Sequence, residues 1–143
     1  MLKIVLDTNV VISAALSPTG NCAEIIDTIG DNEQIQLFYN EKILFEYKEV
    51  LSRKHLDIAG KIQNSIVESM KKVGLELAPA SSDVLLPDES DRIFYDTALA
   101  TGAILIPFRC KYKWSSNFPF ISGVLLQLPA NSLRFLSDSR RLP

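Results

Sequence analysis

A short apolar run that stops at an acid constrains the fold of this chain more than any other feature. Residues 2–6 (LKIVL) are four apolar residues and one lysine, and Asp7 follows them directly. A run of this length predicts a buried strand whose carboxyl end carries the Asp7 side chain. In open α/β sheets, ligands bind at the edge where the carboxyl ends of the strands lie. The start of the chain therefore predicts a strand of the core and a polar group at that edge.

Strands and helices are predicted to alternate along the chain up to Ile106. Further strands are predicted at residues 35–39, 75–77 and 103–106. Helices are predicted at residues 22–29, 41–54, 58–73 and 92–101. Asn21 and Asn40 are predicted N-caps, and Gly102 is a predicted helix stop. This alternation predicts an α/β fold in three layers, a mostly parallel central sheet with helices on both faces.

The length and composition fit one domain. With 143 residues, 47% of them hydrophobic, residues 1–143 are expected to form a single unit with a sizeable core. Residues 120–126 and 131–136 predict a last strand and a last short helix. The apolar start is too short for a secretory signal or a membrane span, so we expect a cytoplasmic protein with no membrane partner.

Histidine and cysteine offer little for metal or nucleophilic chemistry. His55 is the only histidine in the sequence, so a catalytic histidine pair or a multi-histidine metal site is very hard to build. Cys22 and Cys110 lie far apart, without the spacing of a zinc site or a redox pair. We expect them to be reduced thiols in or near the core. Any metal chemistry must therefore rest on carboxylates.

Four separated acids are candidates for a metal site, and each has an ordinary alternative role. Asp7 at the strand end is also a good helix N-cap, and Glu46, at the border of an apolar helix face, is also a plain surface glutamate. Asp91 also suits a helix N-terminus, and Asp96 lies about 140° from it on the helical wheel. Together the four acids offer only oxygen ligands, which hard cations such as Mg²⁺ and Mn²⁺ prefer.

Three segments resemble the motifs of the PIN domain family, in order and at similar spacing. Residues 6–13 (LDTNVVIS) resemble its opening strand and acid, and residues 43–51 (ILFEYKEVL) resemble its second motif. Residues 87–103 (PDESDRIFYDTALATGA) resemble the third. The resemblance covers about residues 1–106. Within the family, it is closest to a bacterial and archaeal group of toxins from toxin–antitoxin pairs.

The resemblance implies a divalent-metal ribonuclease with a PIN-like fold, a homodimer held inactive by a cognate antitoxin protein. Carried over residue by residue, it implies that Asp7, Glu46, Asp91 and Asp96 are catalytic, metal-binding acids for Mg²⁺ or Mn²⁺. It also implies that Thr8 and Asn9 support the Asp7 loop through hydrogen bonds, although both are ordinary turn residues as well.

The chain departs from the family pattern after Ile106. The family usually continues with Thr-Gly-Asp or Thr-Gly-Asn, whereas residues 107–114 read PFRCKYKW and the tail 107–143 is atypical. A PIN-like domain that has lost catalysis and binds a partner protein is therefore the alternative function.

The tail is basic while the rest of the chain is acidic. Residues 109–143 carry a net charge of +5, and the remaining residues carry −7. The basic and aromatic residues just after Ile106 predict contacts with RNA phosphates and bases. These are Arg109, Lys111, Lys113 and Trp114. A solvated surface without a partner is the alternative explanation for these charges.

Overall fold

A computed structural model describes residues 1–106 of the 143. The strands are β1 (Leu2–Leu6), β2 (Ile35–Tyr39), β3 (Gly74–Glu76) and β4 (Ile104–Ile106). The α-helices are α1 (Thr8–Leu16), α2 (Asn21–Asp31), α3 (Glu41–Leu51), α4 (Gly60–Val73) and α5 (Arg92–Thr101). Short 3-10 helices cover Lys54–Leu56 and Glu89–Asp91. The strand predicted at residues 120–126, the helix at 131–136 and the basic segment at 109–114 lie outside the described residues.

The strands within residues 1–106 form one parallel sheet in the order β3-β2-β1-β4. Helix α5 packs against β1, β2 and β4, while α4 packs against β2 and β3 and joins α1, α2 and α3. The predicted α/β fold, with a parallel central sheet and helices, is confirmed. Parallel neighbours require crossover connections, which is why the helices lie between successive strands.

The order of the strands makes β1 the point where the chain changes direction across the sheet. From β1 the chain moves to β2 and β3 on one side, and it returns through α5 to β4 on the other side of β1. Ligand sites of open α/β sheets lie at such a switch point, outside the carboxyl ends of the strands. The fold therefore directs attention to the residues that follow β1.

The predicted helix ends are partly correct. Asn40 caps α3, because its side-chain oxygen accepts a hydrogen bond of 2.8 Å from the Ile43 amide. Gly102 ends α5 in the left-handed conformation at φ 65°, which glycine adopts without the penalty of a Cβ. The predicted Asn21 cap is wrong: Asn21 is the first residue of α2, and Gly20 holds the capping position.

The prediction missed α1 and made α3 too long. The sequence interpretation missed α1, since the β-branched residues 10–12 (VVI) favour a strand locally. In α1, Val10 and Val11 are completely buried, so packing against the core overrides that preference. Helix α3 ends at Leu51 rather than near residue 54, and the Ser52 hydroxyl bonds back to the Glu49 carbonyl.

The core lies between the sheet and its helices. Ile4, Val5 and Leu6 of β1 are almost fully buried, which is typical of a central parallel strand covered on both faces. Within residues 1–106, no helix has the length and apolar character needed to cross a membrane.

Candidate functional site

Asp7 lies at the carboxyl end of β1, at the switch point of the sheet. Its backbone N–H donates a 3.0 Å hydrogen bond to the Ile106 carbonyl at the end of β4. Its carboxylate oxygen Oδ1 accepts a 2.7 Å hydrogen bond from the Asn9 backbone amide and so caps α1. The capping role that the sequence left open is therefore real. This cap uses one of the two carboxylate oxygens, so it is compatible with a second role.

Glu46 lies on α3 and is half-buried. The buried Thr8 hydroxyl donates a 2.6 Å hydrogen bond to Glu46 Oε1. Thr8 was expected to steady the Asp7 loop, but its side chain holds the glutamate on another element instead. The Asn9 backbone amide, not its side chain, bonds Asp7, and the supporting role of Asn9 stays a prediction.

Charge interactions connect Asp91 with the other two acids. It is exposed, at the end of the 3-10 helix that leads into α5. Burial raises the pKa of the Asp91 carboxyl, and the charges of Asp88 and Asp7 raise it further. Burial also raises the pKa of Glu46, the Thr8 hydrogen bond lowers it, and the charges of Asp7 and Asp91 raise it. Asp7, Glu46 and Asp91 therefore form one interacting group of carboxylates, which we call the acidic triad.

The acidic triad has the donors for a hard cation but does not form a closed cage. Carboxylate oxygens are the ligands that Mg²⁺ and Mn²⁺ prefer. Among residues 1–106, no three histidine, cysteine or acidic side chains converge closely enough, in the conformation described, to hold a metal ion. A cation at the triad would need its side chains to turn towards one another, and it would relieve their mutual repulsion.

Asp96 has contacts of its own on α5. It is 6% exposed on α5, and its Oδ1 accepts a 3.2 Å hydrogen bond from the Ser82 amide. It lines a groove of about 380 Å³ together with Asn40, Glu76 and Arg92. It is not among the charges that raise the pKa of Glu46 or Asp91. Its role as a metal ligand stays a prediction.

Comparison with known proteins assigns the family. The family model described as the PIN domain matches residues 3–106, which is more than half of the chain. This protein belongs to the PIN domain family. It is also 31% identical, over 109 residues, to an uncharacterized protein of Methanocaldococcus jannaschii; the match covers 73% of this chain and 69% of that protein. No solved structure gives a significant match.

The family assignment confirms the resemblance read from the three motifs. PIN domains are generally nucleases and typically use divalent metals, so the coarse assignment of this PIN domain is a nuclease-type hydrolase. The similar archaeal protein adds no function, since it is itself uncharacterized.

Arg92 has a role in this PIN domain that the sequence did not suggest. Its guanidinium donates hydrogen bonds to the Ser82 carbonyl (2.6 Å) and the Val84 carbonyl (2.8 Å), and it pairs with Glu89 at 2.6 Å. One side chain of α5 thereby fixes the loop of residues 78–87 beside Asp96. No local sequence pattern predicts these hydrogen bonds, because an arginine near the start of a helix is usually solvated.

The sequence also did not predict a buried hydrogen bond between the residue that follows β2 and a residue of α5. Asn40 Nδ2 donates a 2.7 Å hydrogen bond to Thr97 Oγ1, and both residues are buried. This bond ties the start of α3, the helix that carries Glu46, to α5. The sequence identified Asn40 as a cap, but only the tertiary contact shows its second partner.

Replacing Thr8 with valine should raise the pKa of the Glu46 carboxyl further. The Thr8 hydroxyl stabilises the ionised form of Glu46, and valine keeps the shape of the side chain but donates no hydrogen bond. The titration of the Glu46 side-chain carbon, followed by NMR in Thr8→Val and wild type, measures the shift. Thr28→Val, in which the lost hydroxyl bonds only a carbonyl of α2, is the control. An unchanged Glu46 pKa in Thr8→Val would contradict the assigned role of the hydroxyl.

Proposed function

We propose that this PIN domain is an Mg²⁺- or Mn²⁺-dependent endoribonuclease that hydrolyses phosphodiester bonds of RNA. The observation that carries the proposal is the acidic triad, in which Asp7, Glu46 and Asp91 come from three separate segments and act on one another electrostatically. Asp7 occupies the switch point of the sheet, where α/β folds bind ligands.

The cost of the triad supports a functional role. Burial is the main cause of the raised pKa values of Glu46 and Asp91, and the charges of neighbouring acids raise them further, so keeping these carboxylates here has a cost. An arrangement selected for stability alone would place a basic residue or an apolar one there. Perturbed carboxylates at a sheet edge are typical of sites that bind a cation or catalyse a reaction.

The chain's own residues would hold and orient the cation. Asp7 is fixed by its bonds to β4 and α1, and the Thr8 hydroxyl keeps Glu46 in place and favours its charged form. A bound divalent cation would supply the charge that polarises a phosphate and activates water. Such chemistry needs no histidine, and His55 is exposed on the 3-10 helix Lys54–Leu56.

The finer features of the proposal rest on the family resemblance. These are Asp96 as a fourth acid, the toxin role with a cognate antitoxin, the homodimer and the cytoplasmic location. The proposed RNA contacts, Arg109, Lys111, Lys113 and Trp114, follow β4 directly in sequence. Strand β4 itself ends beside Asp7, and the position of these residues directly after β4 in sequence supports a role in binding the substrate.

A catalytically impaired PIN-like domain that binds a partner protein is the second candidate. The observation that favours it is the sequence PFRC at residues 107–110, where the family usually has Thr-Gly-Asp or Thr-Gly-Asn. The two candidates differ in one measurable property, namely cleavage of RNA that depends on the acidic triad.

The full-length protein should cleave a 5′-labelled RNA in the presence of Mg²⁺ or Mn²⁺, and EDTA should abolish the cleavage. Glu46→Gln, which removes the charge but keeps the size of the side chain, should reduce the rate by about a hundredfold or more, since a lost ligand should cost at least as much as a lost partner of a ligand. Glu24→Gln changes an exposed glutamate of α2 and is the matched control. Equal cleavage by Glu46→Gln and wild type would argue against the triad, and no cleavage by any form would favour the second candidate.

A further inference from the structure

Tyr47 connects the three segments that carry the acidic triad. It lies on α3, next to Glu46 in sequence, and it is 2% exposed. Its hydroxyl donates a 2.6 Å hydrogen bond to the Leu6 carbonyl at the end of β1. Its ring faces Phe94 of α5, with 6.4 Å between ring centroids and 30° between ring planes. One buried side chain therefore contacts β1 and α5 while its backbone belongs to α3.

The hydroxyl of Tyr47 acts on the peptide group that precedes the Asp7 side chain. The Leu6 carbonyl and the Asp7 N–H belong to the same planar peptide unit. Tyr47 binds the carbonyl of this unit, and Ile106 of β4 accepts its N–H at 3.0 Å. The peptide plane is held from both sides, which fixes the direction in which the Asp7 carboxylate leaves the backbone.

Tyr47 is also connected to the other two acids, through its own helix and through its ring contact with Phe94. Glu46 lies one residue before Tyr47, about 100° around α3, so the position of Glu46 depends on where Tyr47 holds this helix. Asp91 lies three residues before Phe94, less than one turn from the ring that Tyr47 contacts.

We propose that Tyr47 is a positioning residue that sets the separations among Asp7, Glu46 and Asp91, and thereby the affinity of the site for a divalent cation. This inference rests on the proposed metal-dependent function. A residue kept only to fill the core would not need the hydroxyl, since phenylalanine fills the same space without a polar group that must find a partner.

The test is the affinity of the full-length protein for Mn²⁺, measured by electron paramagnetic resonance of the free ion. Tyr47→Phe removes the hydroxyl and keeps the ring against Phe94. Because residues that orient metal ligands change metal affinity by about 10–100-fold, we expect Mn²⁺ to bind Tyr47→Phe at least about tenfold more weakly than wild type. The urea midpoint is measured in parallel, so that a general loss of stability is recorded separately from a loss of affinity.

Tyr39→Phe is the matched control. Tyr39 is also buried, at the end of β2, and its ring lies against Gly74 rather than the triad. A positioning role predicts that Mn²⁺ affinity falls in Tyr47→Phe and not in Tyr39→Phe. This difference should hold whether or not the two variants have the same urea midpoint. If Tyr47→Phe does not fold, Phe94→Leu is tested instead. This variant removes the ring that Tyr47 contacts and keeps the hydrogen bond of the Tyr47 hydroxyl. A weaker affinity in Phe94→Leu would then support the proposal, and an unchanged one would overturn it.

The outcomes separate this inference from the function on which it rests. Equal Mn²⁺ affinity in wild type and Tyr47→Phe would overturn the positioning role and leave the metal site intact. Absence of Mn²⁺ binding by wild type would overturn the proposed metal site, and the positioning role would fall with it.

Discussion

Asp7→Asn is expected to lose at least about a hundredfold of the divalent-metal-dependent RNA cleavage rate and, in EDTA, to unfold at a higher urea concentration than wild type. The loss of cleavage follows from removing a proposed ligand at the switch point of the sheet, and it should be at least as large as the effect of losing a partner of a ligand. Asparagine keeps the capping oxygen for the Asn9 amide, and it is as good an N-cap as aspartate, so α1 should remain intact.

The gain in metal-free stability has a separate cause. Besides burial, which is the main cause, the charge of Asp7 contributes to the raised pKa values of both Glu46 and Asp91, so this charge opposes theirs in the folded protein. Removing that charge should increase the free energy of unfolding by about 0.5 kcal/mol or more, as other improvements of unfavourable charge arrangements do. Added Mn²⁺ should then stabilise wild type and have less effect on Asp7→Asn, because a ligand that binds only the folded state stabilises it by mass action.

Asp27→Asn serves as the matched control for both effects. Asp27 is an exposed acid on α2, away from the end of β1, and its replacement should leave cleavage and the response to Mn²⁺ unchanged. If Asp7→Asn cleaves RNA as wild type does and responds equally to Mn²⁺, Asp7 is a helix cap and nothing more.

In EDTA, the free energy of unfolding is expected to decrease as the pH rises through the range in which Glu46 and Asp91 titrate. Their pKa values are raised above the ordinary values of 4.5 and 3.8, so the folded protein holds these protons more tightly than the unfolded chain. Unfolding therefore releases protons, and the free energy of unfolding falls as the pH rises. The contribution is fully present below the ordinary pKa values and is lost as the pH passes the raised ones.

A difference between variants isolates this contribution. The pKa values of Asp88 and Glu89 are lowered by hydrogen bonds from Ser90 and Arg92, respectively, and they act in the opposite direction. Both groups are fully exposed, and their effects are common to every variant. The double variant Glu46→Gln, Asp91→Asn should therefore be more stable than wild type above the raised pKa values, and the two proteins should converge at lower pH.

Urea unfolding at a series of pH values, with and without Mn²⁺, measures the effect. In wild type, Mn²⁺ should reduce the loss of unfolding free energy at higher pH, since a cation offsets the repulsion within the acidic triad. In the double variant, Mn²⁺ should have a smaller effect on this free energy. Glu24→Gln should follow wild type at every pH. Parallel curves for wild type and the double variant would contradict the raised pKa values of Glu46 and Asp91.

The sequence predicted the arrangement of elements well because the relevant signals are local. The apolar runs of β1 and β2, the Asn40 cap and the Gly102 stop each depend on a few adjacent residues, and the structure has them where they were predicted. Helix α1 escaped prediction because Val10, Val11 and Ile12 favour a strand locally. Their helical conformation is decided by burial against helices that lie elsewhere in the chain.

The candidate acids were named from the sequence, but their relations were not visible there. Motif positions pointed to Asp7, Glu46, Asp91 and Asp96 alike, whereas the folded chain joins the first three electrostatically and gives Asp96 a different partner, the Ser82 amide. The wheel angle between Asp91 and Asp96 had indicated that they point in different directions, although it did not show what each would meet.

What the sequence determined by itself was the α/β alternation and the family, since hydrophobic period and motif spacing are properties of the chain alone. What only the tertiary structure decided was which side chains hold the acids. Thr8 bonds Glu46 across 38 positions, and Tyr47 bonds the Leu6 carbonyl across 41. A hydrogen bond depends on distance and direction in space, and no local pattern encodes the approach of segments so far apart in sequence.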